Sequence, residues 1–392
     1  MNIGYFFTSF PEINASGEPN RFVGGAAVVA YNLAHEMDRR GHNIEVLTTT
    51  EAKRGYNCSV PFDVYYYGSL GSVANANLSY SGALLPFFHR YDIIHIHAPS
   101  PPMDIVGSVY SRVHGTPSVV TYHAEPEATG YGSPARRAGV HLYKRAVRSI
   151  VRSADVLVSP TEKFINSSLL ASHRQKVRVV PNGIDIDPST TGCVPEKSRR
   201  ILNIDPDRPV ILYLNALVPQ KGPDVLLRAM EDIVSHMPET LLVVAGDGPL
   251  RSDLQSHVAA NGLHDNVRFE GFVDEKIKPH YYNAADLFVL PSVENHESFG
   301  LTNLEAMANG TPVIGTDVGG VSDVVADGQT GYVVAPADKD ALADQIRSVL
   351  SDQTEIARLS DAAWAVARAP KYEWSTIADR VENIYQEVCK RT

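Results

Sequence analysis

The stretch PSVENHESFGLTNLEAMANGTPVIGTDVGG, Pro291 to Gly320, reads as a strand end, an acidic loop, a helix and a second strand. Glu297 stands in the loop and Phe299-Gly300 carries the backbone into the open. Thr302 then opens a helix carrying Glu305, and Pro312 to Gly315 resumes an apolar strand. A helix start offers unpaired N–H groups and a partial positive charge of about half a unit, which suits a phosphate or a partly negative oxygen. Carboxylates beside it accept hydrogen bonds from hydroxyls. Two plainer readings stand beside this one. Thr302-x-x-Glu305 fits a capping box, in which the glutamate reaches back to the cap residue, and Glu297 fits a solvated loop acid.

The spacing decides more than the residue types. Glu297-x7-Glu305 encloses Ser298-Phe299-Gly300-Leu301, and Glu305-Ala306-Met307-Ala308-Asn309-Gly310-Thr311-Pro312-Val313-Ile314 follows. This resembles, without a gap, the signature of the retaining GT-B glycosyltransferases of family 4. The resemblance implies two facing Rossmann-like α/β domains, with a nucleotide diphosphate sugar in the cleft and held mainly by the second. It implies ribose hydroxyls at Glu305, a sugar oriented by Glu297, and a diphosphate near the helix start at Phe299, Gly300 and Leu301.

Bulk properties set the outer limits. With 392 residues the chain is long enough for two domains that each bury a core. A composition 44% hydrophobic and 20% charged is that of a globular protein. The formal net charge of −10 argues against a general nucleic-acid binder, which needs a basic surface. Cys58, Cys193 and Cys389 lie far apart with no CxxC pair, so a reducing, cytoplasmic setting is expected and neither a disulfide framework nor a zinc site. The start, MNIGYFFTSFPEIN, reads as a first strand and not as a signal peptide. No apolar run approaches the roughly 20 residues that span a bilayer, so membrane contact would be peripheral, at the inner face.

Along the chain, apolar strands alternate with helices, which predicts a parallel doubly wound sheet in each half. Asn2 to Thr8 is a strand, Gly24-Gly25 a turn, and Ala26 onward a helix stopping at Gly41. Glycines of this kind let a backbone approach a phosphate, though a tight turn is their usual meaning; the resemblance assigns Gly24 and Gly25 to the donor's phosphates. A helix is expected within Ser69 to Arg90. His95 and His97 share a face of the next strand, and a metal pair there lacks a third ligand. His123 follows the strand Ser118 to Tyr122, at the strand end where open α/β sheets bind ligands. The resemblance gives it a contact with the donor sugar.

Ser133 to Ala154, SPARRAGVHLYKRAVRSIVRSA, carries Arg136, Arg137, Lys144, Arg145, Arg148 and Arg152 with no acid before Asp155. On a helix Arg137, His141, Lys144, Arg145, Arg148 and Arg152 fall on one broad face, and Val140, Leu142, Tyr143, Val147, Ile150 and Val151 turn mostly away. A solvated basic side is the plain reading. The functional one is a surface for anionic lipid or a phosphate-bearing acceptor. A run with Pro188, Pro195, Pro206 and Pro209 separates the halves. The expected domains are 1–184, 185–370 and a terminal helix, 371–392, that crosses back to the first. Asp185-x-Asp187 sits in this hinge, so no metal is assigned to it.

The second half opens with Val210 to Asn215, then Leu217-Val218-Pro219-Gln220-Lys221-Gly222. Lys221 is placed to meet a diphosphate as a point charge. The family carries Gly-Arg before this leucine, and here the positions are Asn215 and Ala216. Arg251 is a replacement by nearness in sequence only. The expected activity is that of a metal-independent hexosyltransferase without a cofactor, moving a hexose with retention to a glycan, lipid-linked or phosphorylated acceptor. His123, Lys221 and Glu297 are the catalytic candidates, and Asn215 joins the donor-binding set. A weakened nucleotide-sugar-binding partner protein and a hydrolysing nucleotide-sugar epimerase are the alternatives.

Overall fold

The computed structural model describes the chain except residues 15, 23, 53, 54, 60, 74, 75, 127–133, 186–194, 295, 296 and 392, and at 72, 73, 76 and 134–137 it describes the backbone alone. Two compact units result, Met1–Gly183 with Trp374–Thr392, and Ile184–Glu373. Ile184 and the turn at 371–373 thus belong to the second unit. Of the hinge pair, Asp187 lies outside the described residues, as does Pro188.

The first unit begins β1 (Asn2–Phe6), α1 (Gly25–Arg39), β2 (Asn43–Thr50), β3 (Tyr56–Cys58) and β4 (Asp63–Gly68). A hairpin, β5 (Gly71–Val73) and β6 (Ala76–Leu78), leads to the short α2 (Tyr80–Leu84). Then come β7 (Ile93–Ala98), α3 (Met103–His114), β8 (Ser118–Tyr122), α4 (Pro134–Ser153), β9 (Val156–Ser159), α5 (Glu162–Ser167) and β10 (Val177–Val179). Between Ser69 and Arg90, where a helix is expected, α2 and the 3-10 helix Leu85–Phe88 that continues it lie in the second half, and the hairpin takes the first.

Eight strands form one sheet in the order β10-β9-β8-β7-β1-β2-β4-β3, with β3 antiparallel to β4 at the edge. All residues of β7 and β8 are buried, the polar ones included, because helices cover both faces of a parallel sheet and leave neither strand side in water. The order reverses between β1 and β7. Just beyond them, Thr8 Oγ1 donates to the carbonyl of Ser100 at 2.6 Å and Ser100 Oγ accepts from Thr8 N at 3.0 Å.

The second unit runs α6 (Pro195–Ile201), β11 (Val210–Leu214), α7 (Pro223–His236), β12 (Leu241–Ala245), α8 (Arg251–Ala260), β13 (Val267–Gly271) and α9 (Lys278–Ala284). It continues β14 (Leu287–Leu290), α10 (Leu301–Ala308), β15 (Val313–Thr316), α11 (Val321–Val324), β16 (Gly331–Val334), α12 (Lys339–Leu350) and α13 (Gln353–Ala367). Its six strands are parallel, in the order β13-β12-β11-β14-β15-β16. Alternate residues of β11 feed opposite cores. Ile211 and Tyr213 pack with Leu226, Leu254 and Ile346, whereas Val210 and Leu212 pack with Leu304, Phe288 and Ala363. The sheet is therefore wound on both faces, and its order reverses between β11 and β14.

The last helix, α14 (Trp374–Cys389), belongs to the first unit. It buries Trp374, Ile377, Ala378, Val381, Ile384, Tyr385 and Val388. Arg40, just after α1, holds it through Asp379 at 2.6 Å and Glu382 at 2.9 Å. Among the described residues no helix is long and apolar enough to cross a membrane.

Candidate functional site

In the second unit the loops after β11 and β14 meet at the point where the strand order reverses, the place where open α/β sheets take ligands. Val293 N donates to the carbonyl of Gln220 at 2.9 Å. Gly222, at φ 63°, lies so close to the carbonyl of Pro291 that a side chain would collide with it. This approach brings Lys221 Nζ onto Glu297 Oε2 as an ion pair. The other carboxylate oxygen, Oε1, accepts from Gly300 N at 3.1 Å, and the Glu297 carbonyl accepts from Gly320 N at 2.7 Å. Glu297 is thereby fixed from three directions, with its side chain 13% exposed against 25% for Lys221.

Helix α10 starts at Leu301 behind Gly300, which caps it at φ 78° and ψ 59°. Thr302 lies inside the helix and its Oγ1 is buried without a partner among the described residues, so the capping box does not form. Glu305 turns instead toward α9. Its Oε1 pairs with Lys278 Nζ at 3.0 Å and its Oε2 accepts from Tyr282 Oη at 2.7 Å. Burial opposes the charge on Lys278, but Glu305 and Glu275 outweigh it and hold the ammonium above its usual range. Burial and Glu305 together keep Tyr282 protonated, so it acts as a donor. The ring of Phe299 is 2% exposed and packs against Tyr372 at 6.1 Å. Phe299-Gly300 is a buried turn and not an open backbone, and the Gly300 N–H serves Glu297.

Asn215 Oδ1 accepts from Ala216 N at 2.9 Å, and Ala216 itself is exposed, with its carbonyl accepting from Tyr213 Oη at 2.9 Å. Arg251, on the first turn of α8, lies beside Gly271 and Asp247, at 3.5 Å from the latter's carboxylate. Gly271 ends β13, two strands from β11, or roughly 10 Å across the sheet. The Arg251 guanidinium is turned toward the end of β13, while Leu250 N donates at 3.1 Å to the carbonyl of Leu217, on the loop that carries Lys221.

In the first unit, Gly24 precedes α1 at φ 82° and Gly25 is its first residue. His123 follows β8 directly, and its backbone N–H donates to the carbonyl of Ala98 at 2.7 Å. Its Nε2 lies 2.9 Å from His97 Nδ1. Behind them His95 stacks on His97 with centroids 4.5 Å apart. His95 is bound by Thr121 Oγ1 at 2.7 Å and by Tyr385 Oη of α14, which also meets Tyr5 Oη at 2.9 Å. Burial pushes His123 down to about 4 and, with His123 nearby, His95 down to about 3; it holds His97 well below the usual range. All three rings are neutral near pH 7. Among the described residues no group of three His, Cys, Asp or Glu is placed to hold a metal ion.

Helix α4 buries Val147, Ile150 and Val151 and directs Arg145, Arg148 and Arg152 to solvent. Lys144 is half-buried, and Leu142 is 68% exposed, on the outer and not the inner side. The side chains of Arg136 and Arg137 lie outside the described residues. Tyr143 Oη binds the buried carboxylate of Asp104, which ties α4 to the start of α3.

Residues 194–365 match the model of glycosyl transferases group 1, and residues 23–188 that of glycosyltransferase family 4. The D-inositol 3-phosphate glycosyltransferase of Corynebacterium jeikeium is 30% identical over 93% of this chain and 92% of its own. That of Thermobispora bispora is 32% identical over 77% of this chain and 72% of its own. This chain is a group 1 glycosyltransferase. Solved structures agree in fold: sucrose-phosphate synthase from Thermosynechococcus elongatus superposes with a TM-score of 0.79 at 23% identity over 100% of both chains. Anabaena HepE in complex with UDP-glucose does so at 0.74 and 21%, over 99% of this chain and 100% of that one. The fold of the glycosyltransferase is thus GT-B.

Within this glycosyltransferase the structure gathers Lys221, Glu297 and Gly300 into one contact set, and places Leu301 and Glu305 on the helix that leaves it. Asn215 lies on the loop that ends at Lys221. Lys278 and Tyr282, which hold Glu305, and His97 and Tyr385, which stand behind His123, were not expected in these roles. No local signal marks them, since Lys278 stands 27 residues from Glu305 and Tyr385 stands 290 residues from His95. The HxH pattern of β7 did flag His95 and His97, as a pair on one face, without showing what they meet.

Proposed function

We propose that this glycosyltransferase moves a hexose from a nucleotide diphosphate sugar to an acceptor hydroxyl, with retention at the anomeric carbon. The observation that carries the reading is the Lys221–Glu297 pair at the point where the second sheet reverses its order. As the sugar departs, negative charge builds on the diphosphate, and a cation held in advance stabilises it without reorganising. Lys221 supplies that charge. Glu297, fixed by Gly300 N and Gly320 N, orients sugar hydroxyls, and Glu305 has lone pairs left for ribose hydroxyls beyond those used by Lys278 and Tyr282. In this scheme the departing phosphate oxygen takes the acceptor's proton, so the step calls on no protein base and no metal.

UDP-glucose is the first donor to try, since HepE was solved with it. The relatives that act on D-inositol 3-phosphate and the cationic face of α4 both favour a phosphorylated or lipid-linked acceptor, taken up at the cytoplasmic side of a membrane. Screening nucleotide sugars by thermal shift identifies the donor, because a ligand at a hundred times its Kd adds about 2.7 kcal/mol of stability. Transfer is then measured with that donor, and Lys221→Ala lowers kcat/KM at least about tenfold, some 1.4 kcal/mol of transition-state stabilisation. An unchanged rate in this variant would remove Lys221 from the leaving group.

One observation favours a second reading. Position 216 is an exposed alanine, and the Arg251 guanidinium is turned to Asp247 and Gly271. A partner protein that binds nucleotide sugar without transferring it would show the thermal shift and no product with any acceptor. Release of free epimerised sugar without acceptor would identify a hydrolysing epimerase.

A further inference from the structure

We infer that His97 is a positioning residue that fixes the tautomer of His123, so that His123 offers Nδ1–H to substrate as a hydrogen-bond donor. What His123 touches rests on the proposed transferase reading; its tautomer is a property of the free protein. His97 is 0% exposed in the middle of the first sheet. Around it lie the rings of His95, Phe7 and Tyr5, with centroids at 4.5, 5.5 and 5.7 Å. Its Nδ1 lies 2.9 Å from His123 Nε2, and the two rings are inclined by 10° with centroids 5.1 Å apart, a separation that fits rings joined nitrogen to nitrogen.

Both rings are neutral, so a single proton sits between these two nitrogens. In one arrangement His97 donates through Nδ1–H and keeps a bare lone pair on Nε2. In the other His123 donates through Nε2–H, and His97 must carry its own proton on Nε2. That nitrogen is buried with no partner among the described residues. In native structures a buried N–H without an acceptor is rarer than an acceptor left unfilled. The first arrangement is therefore the populated one.

Its consequence is chemical. His123 Nε2 is occupied as an acceptor, and the only other ring nitrogen carries a proton. His123, which is half-buried, can then donate to a hydroxyl or phosphate oxygen but has no free lone pair with which to take a proton. It orients substrate and is not a general base.

The test is a long-range proton–nitrogen correlation spectrum of the uniformly 15N-labelled, ligand-free full chain near pH 7, with His123 assigned by the signals lost in His123→Asn. Expected is an imine-type Nε2 and a protonated Nδ1 at His123. His97→Leu removes the donor and shifts His123 toward its Nε2–H form. His97→Asn, whose side-chain N–H can stand in for Nδ1–H, restores the wild-type pattern. With a nucleotide sugar and acceptor, His97→Leu lowers kcat about tenfold, one misdirected hydrogen bond in the transition state, and His97→Asn recovers most of it. A protonated Nε2 at His123 in the wild-type spectrum overturns the inference whether or not the variants fold, as does an unshifted tautomer in folded His97→Leu. Absence of turnover with every nucleotide sugar would sink the transferase reading and leave the tautomer result intact.

Discussion

Lys221 and Glu297 are 76 residues apart in sequence and become partners because β11 and β14 are neighbours at the reversal of the sheet. Distance in the chain is thus no measure of isolation, and the buried histidines make the same point energetically. His95 is 0% exposed, and burial, helped by His123, pushes it down to about 3. An unfolded chain binds a proton at this residue near pH 6.5 and the folded chain does not, so the unfolded state holds more protons below that pH. Stability present above 6.5 is therefore lost as pH falls, at about 1.4 kcal/mol per pH unit for each such histidine. Asp104, which burial pushes up to about 6, works in the opposite sense, because its folded form keeps a proton that the unfolded form has released. Comparing variants separates the two. Urea unfolding at pH 5, 6 and 7 is expected to give His95→Gln a pH dependence shallower than the wild type by about 1 kcal/mol per unit averaged over that range, the full slope being reached only well below pH 6.5. Equal slopes would mean that His95 takes up its proton inside the folded protein.

Helices and strands were legible where burial is one-sided or complete. The unbroken apolar runs of β11, β12 and β14 announce a parallel sheet, and the 3.6-residue pattern of α14 names its buried face, Trp374, Ile377, Val381, Ile384 and Tyr385. Between Ser69 and Arg90 the helix was legible but the hairpin before it was not, since Leu70, Leu78, Tyr80, Leu84 and Phe88 are apolar yet exposed. Apolar residues there do not report a core. Within α4 the inner face was read correctly at Val147, Ile150 and Val151 but not at Leu142, which stands about 140° round the helix from Val147. What α4 shows to solvent is Arg145, Arg148 and Arg152, on a chain of net charge −10. Each basic residue near an anionic bilayer contributes about 1 kcal/mol. Sedimentation with anionic vesicles should show binding that weakens with salt, and replacing the three arginines by alanine should lower it on the order of a hundredfold. Binding indifferent to salt, or to the triple substitution, would leave α4 as an ordinary solvated helix.

At the scale of the whole molecule, the order of the chain and the order of folding units diverge. The final helix is separated from the first unit by 190 residues of the second, Ile184 to Glu373, yet its Tyr385 is fully buried between Tyr5 of β1 and His95 of β7. The sequence shows an amphipathic helix, but an apolar stripe does not say which sheet it will cover; the family resemblance supplied that. The arrangement has a consequence that local reasoning would miss. Removing the Tyr385 ring leaves a cavity, costs about 3 to 5 kcal/mol as for other large aromatic truncations, and strips His95 of a hydrogen-bond partner. Because each unit has its own core, the damage should stay in one of them. Hydrogen exchange followed by mass spectrometry on Tyr385→Ala is expected to show faster exchange in β1, β7, β8 and α1. Protection of β11, β12 and β14 should hardly change. Equal loss of protection in both sheets would show that the two units unfold as one, and that α14 stabilises the protein as a whole and not the unit it completes.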